Sequence, residues 1–262
     1  MMLMLRSFGA MLLIPFRYGG LVREMVRREI VVRTNGTWLG GLWILIQPAL
    51  QVIAFWFLLE IVLKVRSPGT VVFIHYFLVA MIPWIMLSET LGRSASVFYE
   101  FSHFYQRTVF PLAVLPWVPL LMAALVYGPI YLLTCLYLLG PESLIKAAGV
   151  IFLLTLWLVP FCYFFALAGL FFREVRQLVP FLLTLALYVT PILYQPEALP
   201  ERFREAIKLN PFADLIALME GLMNGLVMTP DQWMRPLILW LIVCPLVWIV
   251  FLKAEPYIRD EL

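Results

Sequence analysis

Side chains that could carry out chemistry are few in this sequence, and they are scattered. Of the two histidines, His75 lies at the start of an apolar run and His103 in a loop beyond its other end, so the two are predicted to be far apart. A two-histidine metal site is therefore not expected. The three cysteines lie inside apolar runs and lack the CxxC spacing of a redox or metal motif; they are Cys135, Cys162 and Cys244. Their setting is typical of small buried hydrophobic residues, so no metal site is predicted.

Motifs of hydrolases and nucleotide-binding enzymes are also missing from the sequence. It contains no GxxxxGK[ST] phosphate-binding loop, no HExxH metalloprotease motif and no GxSxG nucleophile motif. We therefore predict no catalytic residue and no cofactor bound by this chain.

Two pairs of opposite charges do stand at helical spacing. Glu60 and Lys64 are four residues apart, as are Glu89 and Arg93. This spacing predicts two local ion pairs near the ends of apolar runs. An ion-driven carrier would instead need ionisable groups at membrane depth, where their burial is costly. Few such groups are present, so a carboxylate relay is not supported.

The composition places these few charges in a very apolar chain. Of 262 residues, 63% are hydrophobic and only 13% are charged, against about 25% charged in soluble domains. This excludes a soluble enzyme, a disordered chain and a nucleic-acid-binding protein. The net charge of +3 is too small to indicate a polyanionic partner. We therefore expect an all-α integral membrane protein.

Six apolar runs are long enough to predict transmembrane helices, which need about 20 residues each. They span residues 38–63, 71–91, 111–139, 145–172, 178–194 and 236–252. The Lys and Arg residues concentrate on the side that holds both termini. The positive-inside rule therefore places both termini in the cytoplasm.

The N-terminal region, residues 1–36, is predicted to lie at the membrane surface. The apolar stretch 8–16 is followed by no cleavage site, so we interpret it as uncleaved. Residues 21–34 have an apolar and a charged helical face, typical of an interfacial helix, although Glu29 and Arg33 intrude on the apolar half. A simple positive flank that anchors the first span is the alternative.

Residues 195–235 interrupt the pattern of spans. Proline-rich loop signals surround two short amphipathic pieces, 201–209 and 212–227, which are too short to cross a bilayer. We expect two re-entrant or interfacial helices on the outer side. A small external cap is the alternative.

Aromatic residues make up 15% of the chain, and several lie in the middle of predicted spans. Packing against lipid explains most of them. A conduit lined by aromatic rings would also suit sugar chains, whose C–H faces stack on rings. Composition alone leaves both interpretations open.

Residues 28–48, REIVVRTNGTWLGGLWILIQP, resemble the membrane subunit of ABC type-2 exporters, and more narrowly the permeases for O-antigen, capsule and teichoic acid polymers. The matching positions are Arg28, Glu29, Arg33, Leu39, Gly40, Trp43 and Pro48. Thr34 departs from the pattern, where an aromatic residue commonly follows the arginine. Further stretches resemble the family in the same order: 104–116, 171–179, 190–194 and 199–212.

The resemblance implies a single transmembrane domain over residues 1–262. Its parts are the interface region 1–36, spans one to five in 37–194, outer gate helices in 195–235, and span six with a cytoplasmic tail in 236–262. Such permeases act as homodimers with two copies of a separate ATPase subunit, which would hold ATP and magnesium. The expected cargo is a lipid-linked polysaccharide, exported across the bacterial inner membrane. A periplasmic partner is left open.

The resemblance also implies roles for particular residues. ATPase coupling is expected of Arg23, Arg27, Arg28, Glu29, Glu100, His103 and Arg107. An entrance gate is expected at Thr37, Trp38, Leu39 and Gly40. Trp43, Phe55, Tyr188 and Tyr194 are the expected channel aromatics.

Three other hypotheses remain. A type-2 exporter of drugs or lipids would share the fold but not the cargo. A secondary carrier would transport without an ATPase, and a membrane transferase would need catalytic residues that the sequence does not offer.

Overall fold

The computed structural model of the chain describes residues 2–36, 38–62, 64, 73–105, 110–194, 199–207, 210–224 and 230–258. Every regular element within these residues is a helix. The all-α prediction is therefore confirmed for the described part of the chain. The prediction for Thr37 and Arg107 falls outside it.

Twelve α-helices follow one another within these residues. They are α1 (Met2–Arg17), α2 (Gly19–Thr34), α3 (Leu42–Trp56), α4 (Phe73–Ser94), α5 (Val97–Glu100), α6 (Ser102–Tyr105), α7 (Trp117–Leu139), α8 (Ser143–Phe171), α9 (Val175–Val189), α10 (Glu201–Ile207), α11 (Pro211–Asn224) and α12 (Pro230–Ile258). A π-helical turn, Phe57–Val62, prolongs α3, and a 3-10 turn, Leu112–Val114, precedes α7.

Four helices in the described residues are long and apolar enough to cross a membrane. They are Leu42–Val62, Leu112–Leu139, Ser143–Phe171 and Gln232–Ile258. The helix α9 is apolar but shorter, with 15 residues. The chain is therefore a multi-pass membrane protein by length and composition of its helices.

The protein core lies among α4, α7 and α8, which pack against one another, and α12, which packs against α8. Rings fill it at Tyr163, Trp248 and Phe251, with centroids 5.1 to 5.8 Å apart. At Gly169, a methyl group would lie 1.8 Å from the carbonyl oxygen of Ala95. Only glycine allows this close approach between α8 and the end of α4.

The helix α3 differs from this core because most of its surface is uncovered. Only 11% of its apolar window is buried inside the chain, against 56% for α7 and α8. Its packing partners are α4 and α2. A face of α3 is therefore available to lipid or to another molecule.

The ion pair predicted between Glu60 and Lys64 does not form. Instead, the indole Nε1 of Trp56 donates a hydrogen bond to Glu60 Oε2 at 2.5 Å. The chain follows a π-helical turn here, and Lys64 lies beyond it in a left-handed backbone conformation. The prediction was wrong because it assumed regular α-helical spacing through this segment.

The two short helices α10 and α11 lie within the segment predicted to contain the outer gate, and their bounds agree closely with the sequence pattern. The helix α11 packs against α4, α8 and α12. The chain itself covers its apolar side chains, which are Leu215, Ile216, Leu218, Met219 and Met223. Re-entry of these helices into the membrane stays a prediction.

Candidate functional site

A cavity of about 1200 Å³ lies among α2, α3, α4 and α9. Charged side chains line the end where α2 approaches α3 and where α4 ends; we call this the charged end. Aromatic rings and neutral polar groups line the remaining walls. Several residues that the sequence singles out for two different roles therefore face one space.

Glu29 is the centre of the charged end. Its side chain is buried in the middle of α2, and Oε1 contacts Arg33 Nε at 3.0 Å and Arg93 Nη1 at 2.5 Å. The ion pair predicted between Glu89 and Arg93 is therefore wrong, because Arg93 reaches across to α2. The i,i+4 spacing captures only contacts within a helix.

Glu89 is paired with the same helix. Its Oε1 lies 2.7 Å from Arg33 Nη1, and its Oε2 accepts a hydrogen bond from the Tyr127 hydroxyl at 2.5 Å. Burial lowers the pKa of Arg33, but the nearby Glu89 and Glu29 outweigh it, so the pKa lies above its ordinary value. Arg33 thus stays charged and joins α2 to α4 through Glu89, which in turn accepts the hydrogen bond from Tyr127 of α7.

Glu100 on α5 extends the network to the loop after α4. Its Oε2 lies 3.0 Å from Arg93 Nη2, and its Oε1 accepts a hydrogen bond from the Ser96 hydroxyl at 2.6 Å. Burial raises the pKa of Glu100, an effect that the Ser96 hydrogen bond opposes. The network therefore contains one carboxyl that titrates above its usual range.

A sequence signal for this network was available. Glu29 and Arg33 are four residues apart and fall on the apolar half of the α2 helical wheel. Charges on the face that contacts the rest of the protein need partners, because burying an unpaired charge is costly. The missing information was the identity of those partners on α4 and α5.

A second contact joins α2 to α6. Arg28 Nη2 donates a hydrogen bond to His103 Nε2 at 3.0 Å, and its guanidinium lies 4.3 Å from the centre of the Phe104 ring. Because arginine only donates, His103 accepts through an unprotonated nitrogen. Arg23 and Arg27 lie on the exposed face of the same helix. Four of the seven expected coupling residues thus line the charged end of the cavity, namely Arg28, Glu29, Glu100 and His103.

Three of the four expected channel aromatics line the cavity. Trp43 and Phe55 are on α3, and Tyr188 is on α9. Tyr194 does not line the cavity. It lies beyond the end of α9, and its hydroxyl donates a hydrogen bond to the carbonyl of Val189, the last residue of that helix. Trp84 on α4 is a further lining residue that the sequence did not distinguish from packing aromatics.

Trp84 also joins the cavity to α11. Its ring meets that of Phe212 edge to face, with centroids 5.6 Å apart. At the same end of the bundle, Asn210 Nδ2 donates to the Thr190 hydroxyl at 3.0 Å and its Oδ1 accepts from the Phe212 amide. The start of α11 is thus attached both to α4 and to the end of α9.

The residues expected to form the entrance gate lie in the turn between α2 and α3. Trp38 is 98% exposed, and Leu39 is at the margin of exposure at 36%. Gly36 and Gly40 have φ angles of 79° and 55°, a left-handed conformation that favours glycine. The turn therefore presents an aromatic ring outward beside the charged end of the cavity.

Known proteins similar to this chain are membrane transport proteins. Residues 20–227 match the family described as ABC-2 type transporter. A Klebsiella pneumoniae protein named O-antigen export system permease protein RfbA is 28% identical over 209 residues, which are 77% of this chain and 79% of that protein. A Myxococcus xanthus protein of the same name is 28% identical over 208 residues, with the same coverage.

The family match includes α2 with its charged face, the whole cavity and α11. It covers well over half of the chain. This chain therefore belongs to the ABC-2 type transporter family of membrane proteins.

Proposed function

We propose that the chain is the membrane subunit of an ATP-driven exporter that moves a lipid-linked polysaccharide outward across the bacterial inner membrane. The observation that carries the proposal is the cavity whose walls combine Trp43, Phe55, Trp84 and Tyr188. Aromatic faces bind sugar rings without demanding one sugar sequence. The relatives named as O-antigen export permeases support the same cargo class.

In the proposed arrangement the chain crosses the membrane six times. The helices α4 and α9 join the four long apolar helices as spans two and five. With 22 residues, α4 is about 33 Å long, enough for the roughly 30 Å hydrocarbon core. Both termini and the charged end of the cavity then lie on the cytoplasmic side, with α10 and α11 as the outer gate.

A homodimer would complete the conduit. The faces of α3 and α9 that do not line the cavity are apolar and exposed, including Leu50, Ile53, Phe181 and Leu185. A second copy against these helices would extend two cavities into one channel. This arrangement suits a polymer, which must be threaded because it is too long to be enclosed.

Energy would come from two copies of a separate ATPase, which would hold ATP and magnesium. The exposed charges of α2, Arg23 and Arg27, suit docking of that subunit. Motion of α2 would pass through Glu29 to Arg93 and through Arg28 to His103. The turn at Trp38 would admit the cargo from the inner leaflet.

Deletion of the gene in its native bacterium tests this function. Polysaccharide should disappear from the cell surface and accumulate as a lipid-linked polymer inside the cell, and the wild-type gene on a plasmid should restore export. Unchanged surface polysaccharide in the deletion strain, with a changed export of small amphiphiles, would contradict the proposal.

A further inference from the structure

We propose that Gln47 and Gln51 form a hydrogen-bonding subsite that binds the hydroxyl groups of the passing polysaccharide. The inference rests on the proposed function and adds to it the residues that distinguish a polyhydroxylated cargo from an apolar one. The aromatic rings supply stacking, whereas these amides supply the polar contacts.

The two amides stand in a regular stripe on α3. Trp43, Gln47, Gln51 and Phe55 follow one another at intervals of four residues, and all four line the cavity. Successive members of the stripe rise about 6 Å along the helix axis. The order along the wall is therefore ring, amide, amide, ring, over a length of about 18 Å.

The amides of Gln47 and Gln51 have no hydrogen-bond partner in the part of the chain that the structure describes. Both are exposed, and neither makes a hydrogen bond to another described residue. Apart from Glu60, they are the only polar side chains between residues 42 and 62. An amide that faces hydrocarbon without a hydrogen bond is costly. Their position on the cavity wall removes this cost only if water or cargo fills the cavity.

The other walls offer matching neutral groups. Ser88 on α4 lines the cavity; its hydroxyl oxygen is buried and has no hydrogen-bond partner among the described residues. The Thr184 hydroxyl on α9 donates to the Pro180 carbonyl and keeps its own lone pairs for a donor. Together, the two amides and the exposed Thr184 hydroxyl can both donate to and accept from hydroxyl groups of a cargo. The salt-bridged side chains line the charged end of the same cavity.

This distribution discriminates between cargo classes. A site built to hydrogen-bond hydroxyl groups rejects a cargo that lacks them, because its own polar groups are then left unpaired. An acyl chain or an apolar drug beside Gln47 and Gln51 would leave both amides unsatisfied. A sugar chain satisfies them while its rings stack on Trp43 and Phe55.

Amides in membrane helices also join helices to one another. A second copy of the chain is therefore the other possible partner of this stripe. The cavity position favours the cargo, because the stripe faces the same space as Ser88 and Thr184 rather than the opposite, wholly apolar face of α3. The experiments below distinguish binding of the cargo from contact with a second copy of the chain.

The first test measures access to the stripe in intact cells. We expect Gln51→Cys to react with a water-soluble thiol reagent when polysaccharide synthesis is blocked and to react about tenfold more slowly during export. The native cysteines give little background because Cys135, Cys162 and Cys244 are buried. Glu142→Cys, an exposed polar position outside the cavity, is the control and should show no dependence on synthesis. Equal labelling of Gln51→Cys in both states would overturn the proposal.

The second test measures export by the double variant Gln47→Leu plus Gln51→Leu in the complemented deletion strain. Because leucine suits a membrane helix, we expect normal chain levels and about a tenfold loss of surface polysaccharide. Gln177→Leu, outside the cavity, should export normally. Unchanged export by the double variant overturns the subsite while leaving the proposed function intact. If two differently tagged copies of the double variant no longer co-purify, the amides belong to the dimer interface instead. That result would also overturn the cargo subsite.

Discussion

Glu29 in the middle of α2 contacts Arg93 near the end of α4, with 2.5 Å between Oε1 and Nη1. Glu29 also binds Arg33 on its own helix, and Arg33 in turn pairs with Glu89 of α4. The helices α2 and α4 are therefore joined by an ion pair at the charged end of the cavity.

Glu29→Gln tests this attachment. The change leaves Arg33 and Arg93 with one carboxylate partner each and removes a mostly buried charge. We expect the free energy of unfolding to fall by about 1–3 kcal/mol, less than for a fully buried pair. The measurement is the thermal midpoint of the purified protein in detergent. Glu24→Gln makes the same change on the exposed face of α2, and an equal shift from it would count against the network.

The contact between Arg28 and His103 predicts a loss of coupling rather than of stability. Arg28→Ala removes both the hydrogen bond and the stacking on Phe104. We expect surface polysaccharide to fall several-fold while the ATPase still co-purifies and hydrolyses ATP, since an exposed contact contributes only about 0.5–1.5 kcal/mol. The control is Lys253→Ala, an exposed basic residue on α12. Normal export by the Arg28 variant would remove this contact from the coupling route.

Glu100 gives the protein a dependence on pH. Burial raises its pKa, so ionised Glu100 destabilises the folded state at neutral pH, and this penalty decreases as the carboxyl binds a proton. Between neutral pH and the ordinary glutamate pKa of about 4.3, acidification should therefore add stability through this residue. The thermal midpoint of wild type minus that of Glu100→Gln isolates the effect from other titrating groups. A difference that falls as the pH is lowered would contradict the assignment.

Gly169→Ala tests the packing that holds the end of α4. Its added methyl group would meet the Ala95 carbonyl at 1.8 Å, and backbone atoms cannot move aside cheaply. We expect destabilisation of about 1–3 kcal/mol or more and a lower yield from membranes. Gly149→Ala in the same helix has open space around it and should be neutral or slightly stabilising. Equal stability and equal yield of the two variants would show that the close approach at Gly169 does not restrict the side chain at that position.

The sequence predicted the helices well because apolar runs and membrane thickness constrain them directly. The run at 145–172 corresponds to α8 (Ser143–Phe171), for example. The ion pairs at Glu60 and Glu89 were predicted wrongly, since spacing within one helix carries no information about neighbouring helices. The stripe from Trp43 to Phe55 was visible as a four-residue repeat, but only the fold places Ser88 and Thr184 opposite it.

In the proposed function, exported polysaccharide passes along the cavity beside α3 and α9. The direct measurement replaces Phe55 by p-benzoylphenylalanine and irradiates cells during export. We expect a polysaccharide-modified chain of increased mass from this position, and none from Phe152, an exposed α8 residue outside the cavity. Export with no cross-link at position 55, or with equal cross-linking at position 152, would contradict it.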